Sequence, residues 1–383
     1  MSEIQLERLR AARLHRQRSA PDVDTLVADS LGLHSTDYAT PYLSARARVA
    51  DFDPAVLFAR LDRAEGLVRV NCFRNTVHVV RTADLPLISA ATGEAVVRTG
   101  RRSPNLKGVS DDRIRRGREA IVEVLEAGPA STNDLKRALP DLAPDLRYWL
   151  LIALGSGEVL RADAPHARSN RSRYALARHR IPGFVPGEIP AAEARRELLV
   201  RAVRAFGPLT IDDLAWWLPA TRTEVKAALA WAGAELGSLE AEGSTFWFAA
   251  ELEDEEAPPR EDHGAWALPY EDALLKGYRD RAWCLATGLK EVVFPYSVSH
   301  WHPPDGTDPG PGPHKGVNVT GEARPSLWWG GRVVGRWEEG GGTPVWQVHG
   351  PLPAAARAEV EAEVAAVAAF LADRLLPLCT TPS

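Results

Sequence analysis

The segment Gly32-Leu33-His34-Ser35-Thr36-Asp37-Tyr38 places a histidine, two hydroxyls and a carboxylate within four positions. A histidine can bind and orient water, and a carboxylate can stabilise positive charge or act as a base. Ser35, Thr36 and Asp37 are equally good caps for a helix starting near Ala39, so catalysis and capping both remain open. Further along, Arg74, Thr76 and His78 alternate with Asn75, Val77 and Val79, which predicts that Arg74 and His78 share one strand face. There they would grip a phosphate or line a pocket, or else serve as satisfied structural groups. Three arginine-rich stretches are candidate phosphate contacts: 98–102 with Arg101 and Arg102, Arg113 to Arg118, and 168–173 with Arg168, Arg171 and Arg173. His300-Trp301-His302 and His314 sit in a Pro/Gly-rich stretch without partner Cys or carboxylate spacing, so no metal is expected. Cys72, Cys284 and Cys379 are odd in number and far apart, and fit neither a disulfide framework nor a zinc site. No cofactor is expected.

Charge distribution says more than total charge. The chain of 383 residues carries a formal net charge of −5, which alone argues against an anionic partner. Residues 1–190, however, hold 29 Lys and Arg against 23 Asp and Glu, while the remainder holds 17 against 28. A basic half and an acidic half fit a protein that faces double-stranded DNA with one part of its length. No apolar run is long enough for a membrane span, and the start of the sequence does not read as a signal peptide. A cytoplasmic protein, nucleoid-associated when bound to DNA and without an obligate protein partner, is the expectation.

The elements that would position these residues follow from an internal repeat. Gly128-Pro129 leads through Asp134-Leu135 to Leu139-Pro140, and Gly207-Pro208 leads through Asp213-Leu214 to Leu218-Pro219, at an offset of 79 residues. Each copy predicts an amphipathic helix before Gly-Pro (Ile114 to Ala127; Ala194 to Phe206) and a short helix after it. A third helix (Leu146 to Leu154; Arg222 to Ala232) and a hairpin follow, the hairpins being 159–161 with 173–176 and 239–240 with 245–248. Three helices with a trailing hairpin make a winged helix. A looser copy opens the chain, with helices at 3–18, 22–31 and 39–49 before a β-rich stretch, Leu67 to Val80. After the acidic linker at 251–259, strands at 291–294, 326–329, 332–337 and 345–348 predict a small β-barrel closed by a helix, Ala354 to Leu376. The expected architecture is α+β: winged helices over 1–110, 111–190 and 191–252, then a barrel domain over 260–383.

Four phrases in order carry a resemblance: Gly32 to Tyr38, Phe73 to Val80, Leu268-Pro269-Tyr270-Glu271-Asp272 on to Arg281, and Gly331 to Trp337. Together with the repeat they resemble the winged-helix DNA glycosylase family that includes AlkZ and YcaQ. The resemblance implies three winged helices with a C-terminal β-barrel, and hydrolysis of the N-glycosidic bond of alkylated purines, including those in interstrand crosslinks. The family's signature, Gln-x-Gln or Gln-x-Asp after Gly-Leu, falls here on His34 and Thr36, with Asp37 next. The resemblance therefore makes His34, Thr36 and Asp37 the catalytic candidates. A lyase would need a lysine nucleophile, and residues 1–106 contain none, so a monofunctional enzyme is expected. A non-catalytic DNA-binding protein is the alternative, since both signature side chains are replaced.

Overall fold

The computed structural model describes residues 2–162, 164–167, 169, 171–285, 323–340, 343–375 and 378. The chain opens with helices α1 (Ser2–Arg18) and α2 (Val23–Asp29), the short strand β1 (Leu33–His34), and helices α3 (Thr40–Arg46) and α4 (Pro54–Arg63). Strands β2 (Leu67–Asn71) and β3 (Val77–Arg81) form an antiparallel hairpin, and β1 pairs with the outer side of β3. Helix α5 (Leu85–Gly100) follows. Arg74 is not on a strand, contrary to the alternation in the sequence. It lies in a tight turn, Phe73–Asn75, with φ of 52°, and Cys72 N donates to Thr76 O at 3.0 Å to close the hairpin. The alternating residues begin in the turn and run on into β3, so only Val77, His78 and Val79 of them belong to a strand.

Both copies of the repeat fold alike. The first has α6 (Asp111–Glu126), β4 (Ala130–Ser131), α7 (Thr132–Ala138), α8 (Leu146–Gly155), β5 (Val159–Arg161), β6 (Arg173–Leu176) and the short α9 (Ala177–Arg180). The second has α10 (Ala191–Phe206), α11 (Ile211–Trp217), α12 (Arg222–Ala232), β7 (Leu236–Ala241) and β8 (Ser244–Ala249). On α6 the buried residues Ile114, Gly117, Ile121 and Leu125 repeat at helical spacing, so one stripe faces the core. Ser131 with Asp134 and Thr210 with Asp213 form capping boxes, each hydroxyl accepting from the N–H three residues on at 3.2 Å. Ala130 pairs with Tyr174 on β6, and Leu209 pairs with Trp247 at the equivalent place. Hence the sequence repeat is also a repeat of strand pairing.

The units do not stand apart as beads. One antiparallel sheet, ordered β1-β3-β2-β5-β6-β4, runs from the first segment into the hairpin of the first repeat through the pair Arg69 and Arg161. Helices α5 and α8 cross where Gly93 and Gly155 meet; a Cβ on Gly93 would stand 2.4 Å from the Gly155 carbonyl oxygen. Only glycine permits that approach. A single apolar core then extends from Val70 and Phe73 through Leu198 and Trp217 to Tyr278.

The C-terminal part contributes β9 (Trp266–Leu268), α13 (Ala273–Lys276), β10 (Ser326–Trp329), β11 (Arg332–Gly340), β12 (Thr343–Val348) and a closing helix, Ala354–Phe370, that continues as a π-turn to Leu375. The strands form a sheet ordered β12-β11-β10-β9. Among the described residues it is open: β9 pairs with β10 and does not meet β12, so the expected barrel is not closed there. The closing helix takes the place of barrel closure in burying the sheet, with Val360, Val364 and Val367 sharing a core with Ala267, Leu327 and Trp337. The strand expected at 291–294 lies outside the described residues.

Two connections hold this part to the rest. Arg48, on the loop after α3, donates to Asp272 through Nη1 at 2.9 Å and Nη2 at 2.7 Å, with side chains only 1% and 0% exposed. Ser44 Oγ donates to the same carboxylate at 2.9 Å, and the guanidinium lies 4.6 Å from the Trp266 ring centre. The Tyr278 hydroxyl donates to Phe206 O at 2.5 Å, while Asp213 Oδ1 accepts from Arg279 N and Asp280 N at 2.9 and 3.1 Å. Tyr278 and its neighbours therefore tie the C-terminal part to the second repeat. Replacing Asp272 by Ala strands a buried guanidinium, and the expected loss is about 3–5 kcal/mol of unfolding free energy. The urea midpoint should fall accordingly, whereas an unchanged midpoint would show that the pair holds nothing together.

Candidate active site

Leu31 and Gly32, with φ of 50° and 106°, turn the chain out of α2 and into β1. His34 is thereby placed opposite His78 on β3. Ser35 N donates to Val77 O at 2.7 Å, and Thr36 Oγ1 accepts from Val77 N at 3.2 Å, so the strand ends on a side-chain bond. Asp37 Oδ1 accepts from Ala39 N at 3.0 Å, although the formal cap of α3 is Ala39 without a side-chain bond. Thr36 and Asp37 are exposed; His34 and Ser35 are buried. The three candidates thus form a rim and a floor, with His34 beneath. Arg69 Nε donates to Ser35 Oγ at 3.1 Å and its guanidinium lies 4.5 Å from the Tyr38 ring centre. The Tyr38 hydroxyl bonds Ser172 Oγ, between Arg171 and Arg173 at the start of β6.

His34 and His78, 3% and 4% exposed, meet edge to face with ring centres 5.5 Å apart. Tyr270 lies 5.6 Å from His34, and Phe73 lies 5.1 Å from His78. His34 Nδ1 has no hydrogen-bond partner among the described residues, which is costly in a dry site and natural for a group that receives a ligand or water. Burial pushes both imidazoles well below the ordinary histidine value of 6.5, and the nearby Lys276 charge adds to the shift. Both rings are neutral near pH 7.

The third phrase of the sequence builds the other wall. Thr40 Oγ1 donates to Tyr270 O at 3.1 Å, and Asp272 holds the following turn through Arg48. Glu271 sits at φ of 52°, forms an ion pair with Lys276, and accepts from Ala323 N at 2.6 Å. Burial opposes the Glu271 carboxylate, but Lys276 and Arg281 outweigh it and hold its pKa below the usual range. Burial lowers the Lys276 ammonium in spite of Glu271, with the guanidinium charges of Arg74 and Arg281 acting in the same direction. Trp216 joins the cluster, with the guanidinium carbons of Arg74 and Arg281 at 4.0 and 5.6 Å from its ring centre. Tyr270, Glu271, Lys276 and Trp216 were not singled out from the sequence. The available signal was a charged residue directly after the apolar run Ala273-Leu274-Leu275.

Arg101, Arg102, Arg171 and Arg173 are not brought to this cluster. Arg101 pairs with Asp111 and Arg102 is exposed beside it. Arg171 is exposed just before β6, as is Arg173 at its start, which donates to Pro129 O. Arg168 lies outside the described residues, as do His300, His302, His314 and Cys379. Among the described residues no group of His, Cys, Asp and Glu could hold a metal ion. Cys72 and Cys284 are buried free thiols, each pushed up to about 12 by burial, and are therefore poor nucleophiles.

The two histidines make folding stability depend on pH. The unfolded rings take up protons near 6.5, whereas the folded ones stay neutral well below that value. Stability is therefore full above that pH and falls as acidity increases below it, because the unfolded chain binds more protons. Urea unfolding at pH 7 and pH 5.5 should show the loss, and the double variant His34→Gln, His78→Gln should flatten it. An unaltered slope in that variant would assign the titration to other groups, such as His263 and His349.

Comparisons place this arrangement. The family model described as DNA glycosylase AlkZ-like matches residues 27–370. The structure is similar to that of the Streptomyces sahachiroi DNA glycosylase AlkZ, with a TM-score of 0.74 and 19% sequence identity, covering 94% of this chain and 96% of that one. No curated protein sequence matches. The family match covers most of the chain, and the structural match shows the same fold: this chain belongs to the AlkZ-like DNA glycosylase family.

Proposed function

We propose that this protein is a DNA glycosylase that hydrolyses the N-glycosidic bond of alkylated purines, including those in interstrand crosslinks. The observation that carries the reading is His34: a neutral, buried imidazole with an Nδ1 unpartnered among the described residues, directly after Gly32-Leu33, where the family signature falls. An alkylated purine is cationic and leaves without strong general-acid help. The enzyme must supply an oriented water and a negative field at the anomeric carbon. A neutral imidazole can accept from that water. Thr36 already accepts from Val77 N, which leaves its hydroxyl proton to orient the same water. Asp37, exposed at the rim, supplies negative charge to the developing sugar cation.

The repeat copies, with three helices and a hairpin each, support tandem winged helices as the DNA-binding frame, with the opening segment as a third. Arg101, Arg102, Arg168, Arg171 and Arg173 would contact backbone phosphates of double-stranded DNA. Arg74, stacked on Trp216, would reach a phosphate near the site. His78 is too buried for that and backs the His34 ring instead. No helix among the described residues is long and apolar enough to cross a membrane. A bacterial cytoplasmic setting at the nucleoid fits the reading. A non-catalytic damage binder is a second reading, favoured by His34 and Thr36 standing in place of the signature pair.

Base release separates the two. The protein should liberate N7-methylguanine from duplex DNA or unhook a crosslinked duplex, and bind duplex with an affinity that falls steeply with salt. His34→Ala should slow release by about 10²-fold, within the usual range for an acid–base group. Asp37→Ala should slow it as well. Tight, salt-sensitive binding with no base released would establish the binder instead.

A further inference from the structure

A cleft of about 760 Å³ opens between α1, the residues leading into α11, the β7–β8 hairpin and the turn at 278–283. None of His34, His78, Tyr270 and Lys276 lines it. Ligand sites usually enclose roughly 300–1,000 Å³, so the space suits a molecule of nucleotide size. Five carboxylates and four guanidinium groups line the cleft, and most of them answer one another. Arg10 takes both oxygens of Glu242 at 3.0 Å, and Glu7 accepts from Arg260 at 2.9 Å. Asp212 pairs with Arg222 and Arg279 at 2.5 and 3.5 Å, while Asp213 is met by Thr210 and the backbone of 279 and 280. Three charged groups are left over. Arg332 is exposed and bonds no partner among the described residues. Arg13 is 3% exposed; with the Gln17 amide presenting its oxygen, Nη1 and Nη2 donate to it at 2.6 and 3.2 Å, but no carboxylate bonds Arg13 and its Nε has no partner. Asp280 Oδ1 accepts from Ala282 N at 2.9 Å, and no cation among the described residues bonds that carboxylate. The half-buried indole of Trp283, 5.0 Å from the Tyr278 ring, forms part of the wall, and its Nε1 is a further donor without a partner.

We propose that this cleft is a second ligand site, which takes a nucleoside phosphate with its phosphate on Arg332 and its base against Trp283. The site stands on the cleft alone and does not depend on the glycosylase reading. Two cations without a carboxylate against one carboxylate without a cation ask for a ligand that is anionic overall and also carries a donor. Phosphate oxygens match the planar fork of a guanidinium. An amino or hydroxyl group of the same molecule gives Asp280 its missing donor. Ring nitrogens and sugar oxygens are acceptors for the orphaned donors of Arg13 and Trp283, directly or through one water; buried donors rarely stay unmet. The indole offers a face for a base to stack on. Inorganic phosphate would use Arg332 and leave the aromatic wall, Asp280 and most of the volume idle. The same chemistry is presented by a free mononucleotide and by the phosphorylated end of a DNA strand.

Titration calorimetry of the full chain with deoxyadenosine 5′-monophosphate tests the site, with deoxyadenosine and inorganic phosphate as separate probes. The monophosphate should bind more tightly than either fragment. Arg332→Ala should weaken it on the order of tenfold, the usual scale for one charge-assisted bond, and Asp280→Asn by a smaller factor. Arg332 is exposed and unpartnered, so its variant should keep the wild-type unfolding midpoint; Asn at 280 can still accept from Ala282 N. On the unaltered chain, irradiation with the 8-azido analogue should label the peptide that carries Tyr278 and Trp283. No binding of the monophosphate, equal binding by wild type and both variants, or a label confined to residues outside the cleft would each overturn the proposal. Competition then assigns the source. Displacement of the monophosphate by a 5′-phosphorylated oligonucleotide, but not by the same strand without that phosphate, upholds the site as one for a strand end. Simultaneous binding of mononucleotide and oligonucleotide upholds it as one for a free nucleotide. Either result is independent of whether the chain releases a base.

Discussion

Everything in the candidate site depends on a bidentate ion pair taken fully out of water. Arg48 and Asp272 lie more than two hundred residues apart in sequence, and between them they fix where the 268–281 segment crosses the first helices. Two charges removed from solvent gain little net stability unless their remaining donors and acceptors are met. Here they are: Gln17 O and Ser44 O accept from the guanidinium, and Ser44 Oγ and Leu274 N donate to the carboxylate. What such a pair contributes is register. Only one placement of the segment satisfies all of these bonds, and that placement sets Tyr270 on His34 and Lys276 beside Glu271.

That crossing explains how a site can draw its walls from distant parts of the chain. β1 is two residues long and cannot hold a histidine by its own pairing. Gly32 turns it, β3 backs it, Arg69 fastens Ser35, and Tyr270 closes over it. Burial then does the electrostatic work, keeping both imidazoles neutral while the Glu271–Lys276 pair stays compact beneath them. The two halves of the cluster differ in kind: the histidine half is neutral, and the half at Glu271, Lys276, Arg74 and Arg281 is charged.

The fold was legible where local chemistry repeats. Gly-Pro stops, capping-box Ser131 and Thr210, and apolar stripes on α6 and α10 placed both repeat copies to within a few residues. The strands at 326–329 and 332–337 likewise followed from their composition, the second running on to Gly340. What the sequence concealed was contact between distant segments. The turn at Arg74 was hidden because β-branched and polar residues alternate straight through it. The open sheet was read as a barrel because short strands announce a sheet without saying whether its edges meet. The Glu271–Lys276 pair was invisible, since a charged residue after an apolar run looks like any solvated helix end until another segment covers it. The His34 segment was found by its likeness to a family phrase, and its neutral state only by its burial.

The hydroxyl contact between Tyr38 and Ser172 has a geometric consequence. Ser172 lies between two exposed arginines just before β6, and Tyr38 lies in the turn four residues after His34; β6 and the β1 that carries His34 belong to one sheet. A hairpin seated on a duplex could not shift by a nucleotide without carrying that sheet with it. On the proposed reading, wing and floor form a fixed gauge: the phosphates gripped at one end determine which sugar is presented at the other.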